Sequence, residues 1–213
     1  MISSRVSDEG STFIGNQPVT DSSFDLLVDS QVGNSTFTKD LKARAQRLYP
    51  STKHIDSPYQ SETLRISDYV TESSFTCHNR LIADAYAGKV YTVEYAVSKA
   101  KHGADQSATF FNPLKPENRN IAPDMLPNRL AYQSYFTSFA RTGNPNTYRN
   151  NATIEWPLTT GFDGVTLKNV LRFEQPIGAK GFRLEEDTGE SRIHCQFWTD
   201  VQKAIQESLV HVN

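Results

Sequence analysis

Two periodicities of apolar and polar positions follow one another along this chain, and the places where one gives way to the other mark its elements. Near the start, Phe24, Leu26, Leu27 and Val28 form an apolar cluster that Ser22 or Ser23 is placed to cap and Gly33 to end, so a short helix is expected there. A second helix is predicted from Thr38 through Leu41, Ala45 and Leu48, where Pro50 stops it. Helical spacing returns from Tyr59 to about Ala87, with a break expected near Ser73 and Ser74, just before Phe75 and Cys77. The pattern then changes. Val90-Tyr91-Thr92-Val93-Glu94-Tyr95-Ala96-Val97 is rich in β-branched and aromatic residues and follows Gly88, which predicts a strand.

Beyond that strand the pattern is irregular through Lys101-His102-Gly103-Ala104-Asp105 to Asn112-Pro113. A long helix is predicted from about Asn128 to Arg141, with Leu130, Phe136, Phe139 and Ala140 along one stripe and Gly143 and Pro145 closing it. Val165-Thr166-Leu167, Val170-Leu171-Arg172-Phe173 and Gly181-Phe182-Arg183-Leu184 are extended candidates. A last helix is expected from about Ser191 to Val210, with Phe197, Trp198, Val201, Ile205 and Leu209 on one side. Many helices and few strong parallel-type strands make an odd domain by themselves. They make good sense as the end of a larger α/β fold.

Composition changes this picture little. The formal net charge of −2 is not segregated into blocks, which argues against a nucleic-acid partner. The densest basic cluster, Lys42, Arg44 and Arg47, alternates as on a solvated helix face. The N-terminal segment has no apolar core of a secretory signal, which taken alone suggests a soluble cytoplasmic chain. Other features point outward from the cell. Cys77 and Cys195 lie too far apart for zinc-ligand or redox-motif spacing, and are either one long-loop disulfide or two separate buried thiols. Asn34-Ser35-Thr36 and Asn151-Ala152-Thr153 are glycosylation sequons in loop-like stretches. A secreted protein whose signal went with a lost N-terminal half reconciles these observations.

Candidate chemistry rests on two residues. His102 sits in a polar loop after the strongest strand, beside a glycine, where an imidazole can serve as a general base near neutral pH. Glu9 lies just past an extended segment, where α/β-hydrolases place the acid that orients histidine. His54, His78, His194 and His211 look structural, and no metal or cofactor is called for.

Taken together, these segments carry a resemblance. Ser7-Asp8-Glu9-Gly10-Ser11-Thr12-Phe13 resembles the Asp-Glu-Gly-Ser/Thr segment of the type B carboxylesterases, cholinesterases and fungal-type extracellular lipases. Phe75-Thr76-Cys77-His78-Asn79-Arg80 resembles the family's approach to its last helix before the histidine strand. The strand from Val90 and the loop His102-Gly103-Ala104-Asp105 are similar to the family's strand and His-Gly-x-Asp/Glu loop. Tyr135 to Asn146 resembles a Ser-Phe-Ala-Arg-x-Gly-Asp-Pro-Asn stretch, with Asn144 in place of the usual aspartate, and Trp156-Pro157 follows at the family's distance. Cys195-Gln196-Phe197-Trp198 resembles the family's closing Cys-x-Phe-Trp.

The resemblance implies an α/β class: residues 1–213 as the C-terminal portion of an α/β-hydrolase fold, helix-rich, with only the last strands of the central sheet. It implies a serine carboxylic ester hydrolase acting on small-molecule or lipid esters, with Glu9 as triad acid and His102 as base. It also implies a Cys77–Cys195 disulfide, worth on the order of 4 kcal/mol in the chain-entropy model. In this fold the triad runs serine, acid, histidine along the chain. No Gly-x-Ser-x-Gly occurs, so the serine and oxyanion-hole glycines are expected upstream of Met1, on the missing half of the fold. Gly189-Glu190-Ser191-Arg192-Ile193 only imitates the elbow and is read as a helix cap. The chain is therefore expected to be inactive alone and to expose apolar surface and a strand edge. The alternatives are a non-catalytic, adhesion-type relative or a separately expressed fragment that serves as a binding module.

Overall fold

The computed structural model describes residues 1–15, 19–33, 38–98, 100–115, 125–151, 153–162, 166–174, 181–187 and 190–210. The chain divides into two compact units: Met1–Ser7 with Ile82–Asp187, and Asp8–Leu81 with Thr188–Asn213. The first is built on a sheet and the second on helices.

The sheet unit contains β1 (Ile2–Val6), β2 (Tyr91–Tyr95), β3 (Leu167–Phe173) and β4 (Phe182–Asp187), in the spatial order β1-β2-β3-β4. β1 pairs with β2 and β2 with β3 in parallel, while β3 and β4 are antiparallel. The parallel β2–β3 step needs a crossover, which carries α5 (Gln106–Thr109) and α6 (Met125–Thr142). β3 joins what periodicity suggested were two extended pieces. Asn169 takes a left-handed φ of 63°, and the register shifts between Leu167 and Val170, so one bulged strand replaces two. Val165 lies outside the described residues.

Alternation across the pleat gives this sheet two distinct faces. One register row is Val6, Tyr95, Phe173 and Phe182, and the adjacent row is Arg5, Glu94, Arg172 and Arg183. The apolar row packs with Tyr132, Tyr135 and Trp156 into a core rich in ring contacts, such as Phe173 on Phe182 at 4.6 Å. The Tyr135–Trp156 stretch is held by its own polar groups. Asn146 Nδ2 donates to the Trp156 carbonyl at 2.8 Å, while its Oδ1 accepts from the Trp156 amide at 2.8 Å. Ser138 Oγ donates to the Asn144 carbonyl at 2.7 Å.

The helical unit holds a 3₁₀ turn (Gly10–Phe13), α1 (Asp21–Val32), α2 (Lys39–Leu48), α3 (Glu62–Thr71), most of α4 (Cys77–Ala85, which crosses the unit boundary) and α7 (Glu190–Val210). The cap of α1 is Thr20 rather than a serine, with Ser23 completing a reciprocal box three residues on. Gly33 ends α1 at φ 85°, as its position predicted. α3 starts at Ser61, whose hydroxyl accepts from the Leu64 amide at 3.2 Å, a little later than the apolar spacing suggested. The expected break at Ser73 and Ser74 is a π turn over Glu72–Thr76, which inserts a residue and rotates the side chains that follow. α7 begins at Glu190, and what caps it lies outside the described residues.

Phe24, Val28, Tyr49, Tyr69, Phe197 and Trp198 form the core of this unit. Arg65, 3 % exposed, ties its periphery together. Its guanidinium donates to the Tyr49 carbonyl at 2.7 Å, pairs with Asp21 and Glu62, and sits 3.7 Å over the Phe24 ring. The basic face of α2 is paired as well as solvated: Lys42 reaches Asp29 at 2.6 Å and Arg44 reaches Asp200 at 2.8 Å.

Candidate active site

Glu9 and His102 follow the ends of two neighbouring strands. Val6, the last residue of β1, pairs with Tyr95, the last of β2, and the Ser7 amide donates to the Tyr95 carbonyl at 3.0 Å. In open α/β sheets the loops beyond the carboxyl ends of parallel strands carry the functional groups. Glu9 leaves β1 after two residues and His102 leaves β2 after six.

Glu9 belongs to the helical unit and is 5 % exposed. It is the N-cap of the 3₁₀ turn. The turn lies against α3: the Gly10 amide donates to Thr71 Oγ1 at 2.8 Å, and Ser67 Oγ donates to Asp8 Oδ1 at 2.8 Å. The close approach explains the glycine, since a Cβ at residue 10 would meet the Ser67 carbonyl oxygen at 2.1 Å.

His102 belongs to the sheet unit and is exposed, in the turn between β2 and α5. The loop is shaped by Ala104 N–H donating to the Lys101 carbonyl at 2.9 Å and by Gly103 at φ 80°. Asp105 closes it as the N-cap of α5, and its carboxylate accepts from Ser4 on β1 at 3.4 Å. Glu9 and His102 thus fall in different units.

The two cysteines are brought together within the helical unit. Cys77, at the start of α4, bonds Cys195 of α7 with a Cα–Cα distance of 4.9 Å. Beside this cystine lies a polar network that residue patterns alone did not reveal. His194 Nδ1 sits 2.5 Å from Glu72 Oε2, which also accepts from the Tyr49 hydroxyl at 2.6 Å. Trp198 Nε1 in turn donates to that hydroxyl at 3.0 Å. Burial, then the Glu72 charge, pushes the Tyr49 hydroxyl far above the ordinary tyrosine range. Adjacency to Cys195 was the available signal for His194; Glu72 carried none, because the π turn that aims it is a tertiary feature.

Asn151 is exposed in a turn, while Asn34 lies outside the described residues. Among the described residues no group of three or more His, Cys, Asp or Glu is arranged to hold a metal ion, and no helix is long and apolar enough to cross a membrane.

No protein-family model matches the sequence. A secreted lipase of Arthroderma benhamiae is 30% identical over 203 residues, covering 93% of this chain and 37% of the relative. Carboxylesterase patB of Penicillium expansum is 30% identical over 207 residues, 95% of this chain and 33% of the relative. The chain is a relative of the fungal carboxylesterases and lipases. Secreted lipase 4 of Gibberella zeae extends the set, at 28% identity over 95% of this chain and 36% of its own length. The chain thus spans about a third of the length of these relatives. The crystal structure of Aspergillus niger EstA has the same fold, with a TM-score of 0.71 over 95% of this chain and 40% of that one, at 18% identity. The four-stranded, helix-rich chain therefore fits a C-terminal portion of an α/β-hydrolase fold.

Proposed function

We propose that this chain is the part of a serine carboxylic ester hydrolase that carries the acid and the base. The observation behind the proposal is that Glu9 and His102 follow the C-terminal ends of adjacent parallel strands, in a chain related to secreted lipases and a carboxylesterase. In this reading His102 takes the proton of a serine hydroxyl as it attacks the ester carbonyl, then returns it to the leaving alcohol. Glu9 holds the imidazole in the right tautomer and stabilises the imidazolium that forms. The serine and its oxyanion donors come from polypeptide outside these 213 residues, so these residues alone do not turn over ester. The substrate is a carboxylic ester of a small molecule or lipid.

The relatives' names and the cystine support an extracellular protein. Exposed Asn151, and Asn34, are its proposed glycosylation sites. In a secretory host, Asn151→Gln is expected to remove one glycan, seen as a fall in mass that glycosidase treatment otherwise produces. An unchanged mass excludes that site.

The central test uses the full-length gene product. It is expected to hydrolyse p-nitrophenyl esters and to be labelled by a fluorophosphonate, and His102→Ala should lower kcat by about 10⁴-fold or more. A product that takes no label, or that keeps its activity with alanine at 102, would falsify the reading.

A further inference from the structure

We propose that α3 is the positioning element of the acid, acting through Thr71 and Ser67. The inference rests on the reading of Glu9 as the triad acid and deepens it.

A triad acid acts by direction: its carboxylate must stand within a few tenths of an ångström of the place where it meets the imidazole N–H. Glu9 sits in a short turn after β1, and a 3₁₀ turn of four residues supplies little rigidity of its own. The restraint comes from outside the turn. Thr71 Oγ1 accepts from the Gly10 amide at 2.8 Å, immediately after Glu9. Ser67 Oγ donates to the Asp8 carboxylate at 2.8 Å, immediately before it. The two anchors are one helical turn apart on α3, so they present one face and hold both neighbours of Glu9, Gly10 by its backbone amide and Asp8 by its side-chain carboxylate. Both side chains are buried, Ser67 at 3 % and Thr71 at 8 % exposure, so water competes poorly for either bond. The Ser67 carbonyl occupies the space where a Cβ at residue 10 would go, so the turn's backbone packs directly on α3. α3 is itself held firmly at its start, by the Ser61 cap and by Arg65.

Thr71 and Ser67 touch no reacting atom in this account; they act through Glu9. The test is a double-mutant cycle in the full-length gene product, with p-nitrophenyl butyrate as the probe. Thr71→Val keeps the shape of the side chain and removes the acceptor. It is expected to lower kcat by roughly 10- to 100-fold with KM unchanged, and Thr71→Ser is expected to restore most of the loss. Ser67→Ala should lower kcat in the same direction. In a Glu9→Gln background, Thr71→Val should cost nothing further, because there is no carboxylate left to aim. A residue that merely stabilises the fold would lower the thermal transition and cost the same in both backgrounds. Activity is compared per folded molecule, by circular dichroism below the transition. If Thr71→Val leaves kcat unchanged, or its cost is equal with and without Glu9, the positioning role is overturned. If Glu9→Gln itself retains full activity, it is the acid assignment that fails.

Discussion

Tyr49 is fully buried, yet its hydroxyl is satisfied on both sides, by the Glu72 carboxylate and the Trp198 indole. Burial, with the Glu72 charge behind it, raises its folded-state pKa above the unfolded value, and burial does the same at Tyr69. The sign follows from linkage: stability is intact below about pH 10, where both states keep the proton, and is lost as the pH rises further. Alkaline titration should therefore show the tyrosinate absorbance of Tyr49 and Tyr69 appearing together with loss of helical circular dichroism. Ionisation of Tyr49 or Tyr69, identified by comparison with Tyr49→Phe and Tyr69→Phe, while the helices persist would contradict this. The cystine beside the network is the second residue-scale prediction. It closes a sequence separation of 118 residues, and the double variant Cys77→Ala, Cys195→Ala should lose about 2–5 kcal/mol in non-reducing chemical denaturation of the full-length protein. An unchanged midpoint would show that packing of α7 suffices without the bond.

At the scale of elements, the charged row of the sheet decides register. Glu94, with its side chain 6 % exposed, pairs with Arg5 on β1 and Arg172 on β3, both at 2.7 Å. Arg172 goes on to Glu174 and Glu185, and Arg183 pairs with the same two carboxylates, so the ladder reaches β4. A one-residue slip of any strand would send these charges to the aromatic face. Glu94→Ala removes the carboxylate between Arg5 and Arg172, of which Arg172 keeps Glu174 and Glu185, and should cost about 1–3 kcal/mol by thermal or chemical denaturation. A loss under about 0.5 kcal/mol, the range of ordinary surface changes, would mean that solvent and the remaining carboxylates satisfy the arginines. β2 and the helices were legible because periodicity, glycine and proline positions are local properties. The identity of the α1 cap was not, since Thr20, Ser22 and Ser23 are all competent and backbone geometry chose between them. The single bulged β3 was hidden too, because its pairing with β4 overrides the interruption at Asn169.

For the whole molecule, the β1 margin of the sheet matters most. Among the described residues β1 has β2 as its only strand partner, and large apolar side chains such as Phe110 and Leu114 are 77% and 83% exposed. Such edges recruit other chains. The 213 residues produced alone should bind ANS and scatter light through self-association, and Ser4→Lys, which puts a charge on the edge strand, should reduce the scattering. A cooperative melt without ANS binding would show instead that the chain stands by itself. What the order of residues determined alone was the inventory: the acid-bearing turn before the histidine loop, the two cysteines, the helix and strand periods, and the kinship those motifs signal. Each follows from neighbours close in sequence, where period and turn chemistry operate. Tertiary structure decided which distant groups meet. It set Val6 beside Tyr95, closed the cystine, built the Glu72–His194–Tyr49 network and laid α3 against the Glu9 turn. Those contacts depend on how helices and strands pack, and no local pattern encodes the packing.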